Sequence, residues 1–136
     1  MNVTETAALK ALAGEHAVNP RAAVEMLDAS GASASDCESP DARLLWAAVE
    51  ACVRAGEPLD AVVLSARCPG VARSAVVDVV VDAMPGVIAP RLALLREKSL
   101  RRQYVEALRQ VARLLADESL PLAHAVVEGQ KLFASW

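Results

Sequence analysis

The chain has 136 residues and a mass of 14.3 kDa, with 54% apolar and 23% charged residues. That length makes one domain the default, long enough to bury a core without disulfide or metal, and the charged fraction excludes a disordered chain. A net charge of −3 excludes a polycation that clamps nucleic acid along its whole length.

Taken in chain order, the pattern is helical throughout. Thr4 is the expected N-cap of a first helix, with Glu5 in its opening turn and Leu9 and Leu12 on one face. Asn19-Pro20 opens a second helix with Pro20 at its first position, carrying Val24, Met26 and Leu27. Residues 29–40 are rich in Ser, Gly and Pro and read as a loop, the one stretch that resembles a linker. Ser39-Pro40-Asp41 starts a strong helix. Leu45, Ala48, Val49, Cys52 and Val53 recur at helical spacing, Trp46 lies beside that stripe, and Gly56 ends it. Asp60 is the expected cap of a short helix over 61–66, and Cys68-Pro69-Gly70 breaks the chain again.

Residues 71–84 carry a valine run with strand propensity. Val71, Ala75, Val79 and Ala83 nevertheless recur every four residues, and no partner strand exists, so a helix is expected. Met84-Pro85-Gly86 and Ala89-Pro90 frame a turn. Residues 91–117 form the longest periodic segment, with Leu92, Leu95, Leu100, Tyr104, Leu108, Val111 and Leu115 as a stripe that drifts near Ser99. Asp117-Glu118 and Pro121 interrupt it, as a helix stop followed by a cap. A last helix over 121–133 carries Leu122, Ala125, Val126, Leu132 and Phe133, and the short connection allows an antiparallel hairpin. The expected fold is all-α: a compact helical bundle over 1–90, then a helical hairpin over 91–136 that packs with it or extends from it.

Charge is uneven along this order. Residues 1–50 hold eight acids against three bases, and residues 91–136 hold eight bases against five acids. The basic end suits an acidic surface or phosphate, although solvated arginines on a helix face are commoner. Three cysteines, Cys37, Cys52 and Cys68, form no CxxC pair, and His16 and His124 are distant from them. Buried thiols in a reducing compartment are the expectation, with no metal site. His16 is expected to be solvated near a helix end. The opening residues lack a signal-peptide pattern, and no apolar run approaches the roughly 20 residues that span a bilayer, so a cytoplasmic protein is expected. No phosphate-binding loop, dinucleotide fingerprint or His-Glu-x-x-His occurs, so neither catalytic residues nor a cofactor is expected.

One stretch is more specific. Pro40-Asp41-Ala42-Arg43-Leu44-Leu45-Trp46, followed by Ala55-Gly56-Glu57-Pro58-Leu59-Asp60, resembles the N-terminal domain of DnaB-type replicative helicases. That family has a Pro-x-His-Arg-x-Ile-Phe helix leading into Gly-x-Pro-Val/Ile-Asp. Glu5-Thr6-Ala7-Ala8-Leu9 is similar to its opening Glu-Gln-Ala-Val-Leu, and Arg96-Glu97-Lys98-Ser99-Leu100-Arg101-Arg102 to its Arg-Glu-Lys-x-x-x-Arg-Arg helix. Departures include Thr6 for Gln, Lys10 for Gly, Ala42 for His, and Asp36-Cys37-Glu38 where Asp-Phe-Tyr is usual.

The resemblance implies a bundle with a protruding hairpin and a role without ATPase activity. Hairpins of that family pair, build a collar on the helicase ring, and dock primase or a helicase loader. DNA is then touched only indirectly, and no membrane is involved. The family's motor domain lies C-terminal to this region, so the resemblance implies an excised domain or a stand-alone protein of the same fold. On this reading Leu92, Leu95, Leu100, Tyr104, Leu108 and Leu115 supply apolar contact to a second copy, and Arg101, Arg102 and Arg109 supply charge complementarity. Two other readings stay open: a stand-alone adaptor that binds a helicase, and a small nucleic-acid-binding module motivated by the arginines of 96–113.

Overall fold

A computed structural model describes residues 1–134. Among these the regular structure is entirely helical, with seven α-helices and one short 3-10 turn. The chain divides into two compact units, residues 1–99 and 100–136.

The first unit is built around helix α1 (Val3–Val18), which touches α2 (Pro20–Ser30), α3 (Pro40–Ala55) and α5 (Arg73–Val81). Contact on several sides explains its composition. Ala8, Leu9, Ala11, Leu12 and Ala13 are all buried, so the helix has no wet face of the usual width. Its small residues let neighbours approach. A Cβ on Gly14 would lie 2.5 Å from the backbone carbon of Met84, a collision that only glycine avoids. The cap differs from the expectation. Asn2 caps α1, accepting from the Glu5 N–H at 2.8 Å, while the Glu5 carboxylate accepts from the Asn2 N–H at 3.1 Å. Thr4 lies two residues too late to do this, already inside the helix, and its hydroxyl instead accepts from the Lys98 ammonium at 2.8 Å.

Helix α3 follows the sequence closely. Ser39 caps it and Pro40 occupies its first position. Gly56 closes it in the left-handed conformation at φ 67°. Leu45, Ala48, Val49, Cys52 and Val53 are buried as expected, and Trp46 joins them with no exposure at all. Asp60 caps α4 (Ala61–Arg67) through the Val63 N–H at 2.8 Å. The valine run forms α5, a helix rather than a strand, with Val76 and Val79 in the core. Those two residues are three apart, and burying both meets the need of a short helix with one packed face.

Three expectations change. The 29–40 segment is not a linker. It contains the 3-10 turn over Ala34–Asp36, and Ala32, Asp36 and Cys37 are buried. The Asp36 carboxylate accepts from the Ser33 N–H at 2.9 Å and from Arg96 at 2.7 Å, so its charge is satisfied inside. His16 is buried rather than solvated, because the chain leaving α3 lays the Glu57 carbonyl over the end of α1. The His16 Nε2–H donates to that carbonyl at 2.6 Å. The first unit also continues past residue 90. Helix α6 (Ile88–Ala116) starts within it and buries Ile88, Leu92, Leu95 and Ser99 along one stripe.

The second unit comprises the rest of α6 and helix α7 (Leu122–Ala134). Between them Ser119 donates through its backbone N–H and its hydroxyl to the Asp117 carboxylate, at 3.0 and 2.5 Å. Tyr104 and Phe133 meet with ring centroids 5.2 Å apart, and Val111 faces the bare backbone of Gly129. The paired numbers rise on α6 as they fall on α7, so the two helices run antiparallel at these contacts.

Two outcomes follow for stability. Trp46→Ala removes the largest fully buried side chain and is expected to cost about 3–5 kcal/mol in chemical denaturation. Glu5 gives a pH dependence. Burial pushes its carboxyl pKa up, but the N–H groups of Asn2, Ser39 and Glu38 and the Ser39 side chain outweigh that and hold it below its ordinary 4.5. The unfolded chain therefore takes the proton first, and the stabilisation is complete above that ordinary value and lost as pH falls through the folded one. Glu5→Gln should lower stability at pH 7 and flatten its fall in acid, read as the denaturation midpoint against pH.

Candidate self-association surface

The sequence-derived contact set separates into two groups along α6. Leu92 and Leu95 are buried in the core of the first unit, so their side chains have no face left for a partner. Leu100 and Arg102 are half-buried, and Arg101 is exposed. Tyr104, Leu108 and Leu115 keep 49%, 48% and 51% of their surface in water. Tyr104 also stacks its ring on Phe133, which fixes its orientation.

The structure adds residues that the sequence reasoning missed. Val105 on α6 is exposed, as are Leu122 and Val126 on α7. At 100° per residue, Val105, Leu108 and Leu115 fall within an arc of about 80° on α6. The neighbouring arc carries Val111, which faces α7. With Val111 the apolar arc on this half of α6 spans about 120°, and its Val111 side faces α7. Leu122 and Val126 lie one turn apart on α7 and were legible as apolar, but nothing local separates a residue that packs inward from one that stays bare.

Charge flanks the exposed arc. Glu106 sits 3.9 Å from Arg109 and 3.6 Å from Arg113, all three well exposed. Surface pairs of this kind contribute little to stability, but they leave Arg109 and Arg113 already facing a carboxylate.

Two of the three buried thiols are pushed away from the thiolate form. Burial pushes the Cys52 thiol up, with Glu57 and Asp60 adding to it and Arg67 opposing, and burial alone pushes Cys68 up. Such thiols are poor nucleophiles. Among the described residues no group of three or more His, Cys, Asp or Glu is placed to hold a metal ion, and no helix is long and apolar enough to cross a membrane.

No protein-family model, curated protein or solved structure matches the chain. The likeness to DnaB-type helicase N-terminal domains therefore rests on the short motifs at residues 5–9, 40–60 and 96–102.

Gly129 gives a prediction for this unit. A Cβ there would sit 3.4 Å from Val111, an ordinary contact, and glycine inside a helix is costly. Gly129→Ala should therefore stabilise the unit by about 0.5–1 kcal/mol. The measurement is thermal unfolding followed by helix content.

Proposed function

We propose that the chain is a non-catalytic self-association and docking module. It is of the kind that N-terminal domains of DnaB-type replicative helicases supply in DNA replication. In this reading residues 100–134 pair with the same segment of a second copy, and the paired assembly presents a docking face to primase or a helicase loader in the cytoplasm. No ATP is hydrolysed by this segment, and DNA is reached only through the partners.

The observation that carries the reading is the bare arc of Val105, Leu108 and Leu115 beside the arc that packs on α7. Large apolar side chains grouped on one exposed face mark a surface that another protein covers. Arg109 on its flank, with Glu106 beside it, supplies both signs of charge at the rim. Two copies related by a two-fold axis bring such a rim against itself with complementary signs. The helicase part of the reading is carried by the motifs at 40–60, whose physical roles are clear: Pro40 starts a helix, Gly56 closes it and Asp60 caps the next.

The nucleic-acid reading finds less support, because Arg109 and Arg113 already share Glu106. A stand-alone adaptor would use the same face and differ only in the copy it meets.

Light scattering across a concentration series tests the pairing. The expected result is a mass that rises to at least twice that of one chain. Leu108→Glu should return it to one chain with the far-ultraviolet circular dichroism unchanged. A monomer at every concentration would contradict the pairing. Loss of helix in Leu108→Glu would show that Leu108 belongs to a core. Binding of the paired protein to a primase C-terminal domain, measured by calorimetry, then tests the docking half.

A further inference from the structure

A second surface lies in the first unit and owes nothing to the reading above. An open groove of about 330 Å³ runs between the outer face of α1 and the turn that leads into α6. Its walls include Val3, Ala7, Met84 and Val87, with Lys10 and Arg91 as its charged residues. No acidic side chain lines it.

The groove is built rather than incidental. The Met84 N–H donates to the Lys10 carbonyl at 3.1 Å, and the Gly86 N–H donates to the Glu15 carboxylate at 3.0 Å. The absence of a Cβ on Gly14 lets the turn lie directly on α1. The walls are thus held before anything binds, which spares the ordering cost of association.

Its two cationic side chains differ. The Lys10 ammonium is held by Asp78 at 3.2 Å and Asp82 at 3.7 Å, and neither aspartate lines the groove. Arg91 is half-buried and has no ion pair or side-chain hydrogen bond among the described residues. Its guanidinium is thus the groove's uncommitted cation, and an incoming carboxylate can accept two parallel hydrogen bonds from it. The lip is apolar beyond the hollow itself: Val3 is 86% exposed and Met84 50%. A small molecule seated in the hollow leaves that lip bare, whereas a peptide that continues past it covers the lip.

We infer that this groove docks an apolar peptide segment of a partner protein carrying one acidic side chain, with the apolar residues against Val3, Ala7, Met84 and Val87 and the carboxylate on Arg91. The mode is apolar anchoring with one oriented charge pair, so the charge selects the register and the apolar contact supplies most of the affinity.

The test is a titration of the full-length ¹⁵N-labelled chain with acetylated, amidated hexapeptides of leucine and phenylalanine. One aspartate is moved through all positions, and matched asparagine peptides and decanoate serve as comparisons. The expected result is saturable shifts of the Val3, Ala7, Val87 and Arg91 amides with at least one aspartate peptide. That peptide should bind about tenfold more tightly than its asparagine match. Arg91→Gln should make the two bind equally while the melting temperature stays put, because Arg91 has no partner to lose. Three results would overturn the inference: equal binding of aspartate and asparagine peptides to the unaltered chain, no saturable shift of those amides with any peptide up to about 1 mM, or tighter saturation by decanoate than by every peptide.

Discussion

One carboxylate ties the starts of two helices together. Glu5 gives one oxygen to the N–H of Asn2 at the head of α1 and the other to the N–H groups of Glu38 and Ser39 at the head of α3, at 2.5 and 3.1 Å. Helix starts carry orphan donors, and a buried carboxylate is tolerable only when such donors surround it. Each need is met by the other. The same region is fastened twice more: Arg43 donates to the Cys37 carbonyl at 2.9 Å, and Arg96 holds Asp36. A segment with the composition of a linker thereby becomes part of the core, and α1, α3 and the start of α6 are held in one register. Trp46 of α3 is fully buried in the same core.

The local features of the fold are legible in the sequence. The Leu45–Val53 stripe, the Gly56 stop and the Asp60 cap depend on residues within a turn or two, and the structure has them where the pattern puts them. The valine run of 73–81 was decided by its four-residue spacing over its strand propensity, and it is helical. The failures are mostly non-local. The exception is Thr4, which reads as a cap although Asn2 and Glu5 form a capping box two residues earlier. His16 reads as a surface residue until the Glu57 carbonyl arrives from the chain just past α3. The boundary at residue 90 follows Pro90, while the first unit ends at Ser99 inside an unbroken helix where no punctuation exists.

The candidate interface shows the same limit more sharply. Leu92, Leu95, Leu108 and Leu115 are the same residue on the same helix, but at 100° per residue the second pair lies on the face opposite the first. The first pair is spent on a core and the second is bare. Sequence periodicity finds a stripe but does not say what lies opposite it. A single helix that changes employment midway, from packing its own unit to offering apolar surface, is the physical basis for reading residues 100–134 as the part that meets another chain.

The most direct measurement is intermolecular paramagnetic relaxation. Cys37, Cys52 and Cys68 are buried, so a nitroxide enters selectively at an exposed site introduced by Ala112→Cys, beside Val105 and Leu108. That chain is mixed with an ¹⁵N-labelled, unmodified copy. The account predicts broadening of amides in the labelled copy within residues 100–127. Broadening confined to residues 1–99, or none at all, would contradict it.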